Sequence, residues 1–120
     1  MRTGKVTIKG KNYITCFSSR VLVACEERAG SFDVEMDRVS SGSVKEMLWL
    51  LSELLKAGAK YAEMEGLEHE QPPTLDDILD TVGVDEFSVM FGAVTETVTN
   101  GTNRSVEVEN SKNVETTRGE

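Results

Sequence analysis

Three groups of residues in this chain of 120 residues have types that could do chemistry: Cys16 with Cys25, the lone histidine of Glu68-His69-Glu70, and the trio Asp76, Asp77 and Asp80. A structural zinc site needs about four ligands, and neighbouring positions in a polar loop do not converge on one ion, so His69 reads as a solvated loop residue. Asp76 and Asp80 stand at helical i, i+4 spacing and share a face. A general acid/base pair, however, needs a concave, desolvating setting that an exposed helix face does not supply. Acidic residues complementing a helix N-terminus explain the trio more simply. The stretch GKNYITCFSS brings lysine and serine together without the spacing of a phosphate-binding loop. With a single histidine, no nucleophile, base and orienting group can be assigned. The two cysteines read as reduced thiols packed as small apolar groups. No catalytic residue, metal or cofactor is therefore expected.

Composition narrows the class further. The formal net charge is −8, with 38% hydrophobic and 6% aromatic residues, which suits one modest aliphatic core. No window approaches the roughly 18–20 uninterrupted apolar residues of a membrane span, and no apolar leader opens the chain, so a soluble cytoplasmic protein is expected. The charge is unevenly placed. Residues 1–60 carry ten Lys/Arg against seven Asp/Glu, whereas residues 61–103 carry no Lys/Arg and ten Asp/Glu. Lys5, Lys9, Lys11 and Arg20 make the N-terminal segment basic. Backbone binding to nucleic acid works by neutralising several phosphates together, and the acidic segment opposes it, so no nucleic-acid partner is expected. Opposite-signed regions on identical subunits can instead pair head to tail, which makes Lys5, Lys9 and Lys11 with Asp76, Asp77 and Asp80 the candidate self-association residues. The acidic half also suits a second class of function, a small regulator that covers a basic DNA-binding host protein.

The elements that must position these residues follow from pattern. Lys5 to Phe17 alternates about Gly10-Lys11, which predicts a type II′ hairpin pairing Ile8 with Tyr13 and Val6 with Thr15. That pairing puts Val6, Ile8, Tyr13 and Phe17 on one face and Lys5, Thr7, Lys9, Ile14 and Cys16 on the other. A helix capped at Ser18 or Ser19 runs to Ala29 and stops at Gly30, with Glu26, Glu27 and Arg28 facing water. Residues 31–42 read as a turn or ordered loop pinned by Phe32 and Val34. SVKE at Ser43–Glu46 is a capping box that opens a long helix to Glu65. Gly58 inside it costs about 1 kcal/mol against alanine, so a neighbouring backbone is expected to approach there. GLEHEQPP breaks the pattern as an exposed acidic connection. Thr74 and Asp77 cap a short helix through Val82, with Leu75, Ile78, Leu79 and Val82 inward. Asp85 caps a last helix carrying Phe87, Val89, Met90, Phe91, Ala93, Val94 and Val98. From Asn100 the composition cannot offset the entropy of ordering. The expected organisation is one α+β domain over residues 1–99, a hairpin on a bundle of about four helices, with a disordered tail over residues 100–120.

This order of elements resembles the small tail assembly chaperones of long-tailed bacteriophages and prophages. The likeness lies in VTIKGKNYITCF, ACEERAGS, LLSELLKAGAKYAE and PTLDDILDTVG, and covers roughly residues 5–98. The resemblance implies self-association, transient binding to the tape measure protein, delivery of tail tube subunits, work without cofactors in the host bacterial cytoplasm, and absence from the finished virion. Independently, two helices carry apolar stripes broader than a small core requires. Tyr61, Met64, Phe87, Met90 and Phe91 are accordingly the candidate contacts to a partner.

Overall fold

The computed structural model describes residues 2–102 and has the α+β architecture expected. The part of the expected tail from residue 103 onward lies outside the described residues. Strands β1 (Thr3–Ile8) and β2 (Lys11–Cys16) form an antiparallel hairpin. Five helices follow: α1 (Ser19–Ala29), α2 (Phe32–Ser40), α3 (Val44–Glu65), α4 (Leu75–Thr81) and α5 (Phe87–Thr102), with a single 3-10 turn, Val84–Glu86, leading into the last.

The hairpin turn is Lys9-Gly10, both with positive φ (52° and 78°), rather than Gly10-Lys11. Positive φ at both central residues is the type I′ geometry, whose twist matches that of the strands it joins. Pairing is Val6 with Tyr13 and Ile8 with Lys11, shifted by two residues from the expected register. A two-residue slip leaves every side chain on its face, so Val6 and Ile8 still point into the core, both nearly fully buried. Cys16, expected on the outer face, is nevertheless only 2% exposed, because it joins the buried core beside α1 and α3.

A two-stranded hairpin is marginal in water, and here two helices hold it. The 22-residue α3 starts at Ser43, whose hydroxyl accepts from the Glu46 amide at 3.2 Å, and ends at Gly66 in the left-handed region. Leu50, Leu51, Leu54 and Leu55 are wholly buried along it. It lies directly on β2 at Gly58: a Cβ there would collide with the Ile14 carbonyl and stand 2.9 Å from Thr15 Cα. Helix α5 crosses at Gly4, where a Cβ would lie 2.5 Å from the Thr97 hydroxyl. Thr97 donates to the Ala93 carbonyl at 2.8 Å, so the Thr15 hydroxyl must donate the 2.6 Å bond joining it to Thr97. Asn100 donates to the Thr3 carbonyl at 2.7 Å, and Gly101 abuts the Phe17 ring. These contacts carry the ordered helix through Thr102, past the boundary expected at residue 99.

The expected loop 31–42 is mostly helix, which makes five helices where four were anticipated. Ser31 caps α2 by accepting from the Val34 amide at 3.1 Å, and Phe32, Glu35, Met36 and Val39 turn toward α1 and α3. Val34 is 41% exposed and does not pin the segment; Phe32 does, with its ring centroid 5.2 Å from that of Phe17. Arg28, expected in water, bonds Glu46 through Nε at 2.6 Å and lies 4.4 Å over the Trp49 ring. Thr74 and Asp77 form the expected capping box at α4, but Leu79 is 49% exposed and only Ile78 is buried within that helix. Instead of an Asp85 cap, the Glu86 carboxylate accepts from the Gly83 amide at 2.8 Å.

The crossing at Gly58 has a measurable signature. Gly58→Ala is expected to lower stability in urea by about 2 kcal/mol through overpacking against backbone, despite alanine's better helix propensity. Gly92→Ala in α5, where an added Cβ meets nothing within 4 Å, is expected to raise stability by up to about 1 kcal/mol. Equal effects at the two sites would contradict the crossing.

Candidate functional site

Residues of α1 and of the second half of α3 line an open groove of about 970 Å³. Arg20, Val23, Ala24 and Glu27 supply the α1 wall at helical spacing, and Lys56, Ala57, Lys60, Tyr61 and Met64 supply the α3 wall. Small Ala24 and Ala57 sit in opposite walls, which lets a third element approach closely. Val23 is 49% exposed and Met64 74%, whereas Tyr61 is half-buried against the core. Apolar ground edged by charge is the setting in which an amphipathic helix is received. Lys56 is tied to Glu53 at 2.8 Å and Lys60 to Glu63 at 3.3 Å, both pairs between side chains on one helix. Among the described residues Arg20 has no ion-pair partner.

The groove gathers Tyr61 and Met64 but none of the other candidate partner contacts. Phe87 is half-buried against the core, and Phe91 is 37% exposed on α5. Met90 must be corrected: it is 1% exposed, one of the largest buried side chains, and presents nothing to a partner. Val23 went unnoticed in the sequence because it neighbours the apolar stripe of α1 without belonging to its buried line, Val21 and Cys25.

The candidate self-association residues occupy separate places. Lys5 is exposed on β1, Lys9 is in the turn, and Lys11 reaches Glu70 of its own chain at 3.9 Å, with both side chains more than half exposed. Such a pair contributes about 0–1 kcal/mol, but it brings the tip of the basic hairpin to the acidic connection within one subunit. Asp77 is occupied in capping α4, and Asp76 and Asp80 stand free on its outer side. No ion pair among the described residues joins the hairpin lysines to these aspartates.

The two thiols, Cys16 and Cys25, are free and buried. Burial is the main force pushing both up, Cys16 above its ordinary value and Cys25 to about 12, the latter helped by Glu35 and Glu53. His69 Nδ1 lies 3.0 Å from the Leu67 carbonyl in an exposed loop. Among the described residues no three His, Cys, Asp or Glu side chains are grouped to hold a metal ion, and no helix is long and apolar enough to cross a membrane. Comparison with models of known families, with curated proteins and with solved structures gives no match to this chain.

The division between core and groove is testable by stability alone. Met90→Ala is expected to cost about 2–5 kcal/mol in urea denaturation, whereas Met64→Ala should stay within about 0.5 kcal/mol of the parent. A comparable loss at Met64 would show that its side chain is not free.

Proposed function

We propose that the protein is an interaction protein, a tail assembly chaperone of a long-tailed bacteriophage or prophage. In this reading it receives an amphipathic helix of the tape measure protein, and takes part in delivering tail tube subunits, in the host bacterial cytoplasm. The observation that carries the reading is the groove between two helices, where Val23 and Met64 stand open to solvent beside the half-buried Tyr61. The order of elements, a hairpin followed by helices with the long α3 at the centre, supports the same family resemblance.

The physical logic is that of a holdase. Fully burying an aliphatic or methionine side chain is worth about 1.5–3 kcal/mol. Two or three anchors in one groove then give binding that is specific to an apolar stripe yet weak enough to release when the client's own assembly buries that stripe better. Methionine suits the task because its unbranched side chain adapts to successive apolar partners. Self-association belongs to the proposal as well, with the exposed Lys5 and Lys9 of the hairpin, the exposed aspartates of α4, and Arg20, which has no ion-pair partner among the described residues, as its charged contributors.

Co-expression with the tape measure protein tests the reading directly. The client should co-purify and gain solubility, and Val23→Glu or Met64→Glu should weaken capture by roughly tenfold or more, since a charge would have to be desolvated where apolar surface made the contact. A client that neither co-purifies nor gains solubility overturns the proposal, and capture indifferent to both substitutions moves the site away from this groove.

A further inference from the structure

Helix α2 rests on an acid that has no ordinary partner. Glu35 is 0% exposed, yet neither carboxyl oxygen meets a hydrogen-bond donor. Its nearest cation is Arg38 of the same helix, whose Nη1 stands 3.8 Å from Oε1, too far for a hydrogen bond, on a side chain 47% exposed. Arg28 of α1 is committed elsewhere: Nε and Nη2 hold the two oxygens of Glu46 at 2.6 and 3.3 Å while its plane covers Trp49. Facing Glu35 are therefore Cys25 and Arg28 from α1, Glu46 from α3 and Arg38 from α2, with Glu53 of α3 acting on the same thiol. The Glu46 carboxylate lies within hydrogen-bonding reach, and two carboxylates offer each other only acceptors. One proton between them turns that conflict into a charge-assisted bond.

The geometry points to Glu35 as a proton-binding site that controls the docking of α2: protonated, its carboxyl group donates to Glu46 and holds α2 across α1 and α3; ionised, it releases the helix. Loss of the proton leaves two buried carboxylates facing Arg28, already bonded to Glu46, and the half-exposed Arg38, which stands beyond hydrogen-bond distance of Glu35. The cheapest relief is for α2 to lift away and hydrate Glu35, because α2 has only nine residues and makes its tertiary contacts through Phe32, Met36 and Val39. Release uncovers the Phe17 ring and the sides of α1 and α3 beneath α2, a second apolar surface separate from the groove.

The charge states set the working range. Burial first, then the bond and charge of Glu46, push Glu35 up to about 7, while the Arg28 bond holds Glu46 below the usual carboxylate range. A raised acid contributes stability that is complete below its unfolded value and is lost as pH rises through its folded value; the depressed Glu46 contributes above its unfolded value and loses that in acid. Docking of α2 is thus strongest in mild acid and fails on the alkaline side of neutrality. Cys25, pushed to about 12, stays uncharged throughout.

Trp49 is the only tryptophan and lies under Arg28, so it reports on this cluster. In the full chain, Trp49 emission and amide-exchange protection of residues 32–40 should change together between about pH 6 and about pH 8.5, protection falling roughly tenfold after correction for intrinsic exchange while α3 keeps its own. Glu35→Gln, whose amide donates to Glu46 at every pH, should abolish the change. Arg38→Ala on the exposed side removes a charge favouring ionisation and should move the change to higher pH, which keeps the proposal testable if the glutamine variant does not fold. No change in the parent, an unaltered change in Glu35→Gln, a shift to lower pH in Arg38→Ala, or parallel loss of protection in α3 would each overturn it. None of these readouts involves a client, so they stand or fall apart from the proposed function.

Discussion

A hairpin of two strands cannot shield its own hydrogen bonds and apolar face from water, and this is the constraint on which the structure depends. The chain meets it by laying α3 flat on β2, with no side chain between helix and strand at Gly58. That crossing leaves the wholly buried leucines of α3 to fill the interior, while α1 and α2 pack against the same long helix. Helix α5 completes the arrangement from the β1 side, again at a glycine, Gly4. The two contacts differ in kind. At Gly58 the helix touches backbone; at Gly4 the removal of a side chain makes room for the bond between Thr15 and Thr97, which ties strand to helix through an interior where neither hydroxyl could find water.

Buried polar groups are therefore handled in two ways in one small fold. The threonine pair is satisfied permanently: Thr97 donates to its own helix and accepts from Thr15, whatever the pH. The carboxyl pair is satisfied only conditionally, because Glu46 is fixed by Arg28 whereas Glu35 needs a proton to bond at all. Leaving a buried acceptor unpaired costs on the order of 1–3 kcal/mol, and more for a charge. An apolar residue at position 35 would avoid that cost, so the acid weakens the seating of α2 on its neighbours. The helix most dependent on a conditional bond is also a short one, and this combination permits local opening without loss of the core.

Much of the architecture was legible in local chemistry. The capping groups Ser43 and Thr74, the stop glycines 30 and 66, and the leucine-rich periodicity of α3 placed helices correctly because each is a short-range signal. Gly58 was legible for the opposite reason, as a residue whose local cost implied a tertiary contact. The misreadings also share a cause. In the hairpin, the pattern marks Gly10 as the first turn residue; the structure puts Lys9 at positive φ before it, a conformation uncommon for lysine that the type I′ turn requires here. In α2, the spacing of Phe32, Glu35, Met36 and Val39 is helical, but an acid at a core position disguised it. Arg28 was likewise assigned to water because its partners, Glu46 and Trp49, are distant in sequence. For the groove, Tyr61 and Met64 are visible as surplus apolar residues on α3, whereas Met90 is of the same type but lies on the side of α5 that faces the domain core. Residue type marks a candidate; only the direction of the helix separates surplus from core.

The layout of charge changes meaning once the chain is folded. Along the sequence the cations precede the acids, suggesting a subunit with a positive end and a negative end. In space Lys11 meets Glu70, so part of the apparent dipole is closed within the molecule, while Arg28 pairs with Glu46 inside the basic half itself. Among the described residues, the charges outside any ion pair include Lys5 and Lys9 on the hairpin, Arg20 on the groove wall, and Asp76 and Asp80 on α4. Exposed charges act over about 8–10 Å at ordinary salt and steer an approach more than they hold a complex. Val23, Tyr61 and Met64 can supply the holding, because each offers apolar surface that this fold leaves uncovered. A partner bound in this way would be oriented by charge at the rim and retained by contact on the floor, and it would leave once a better apolar surface became available.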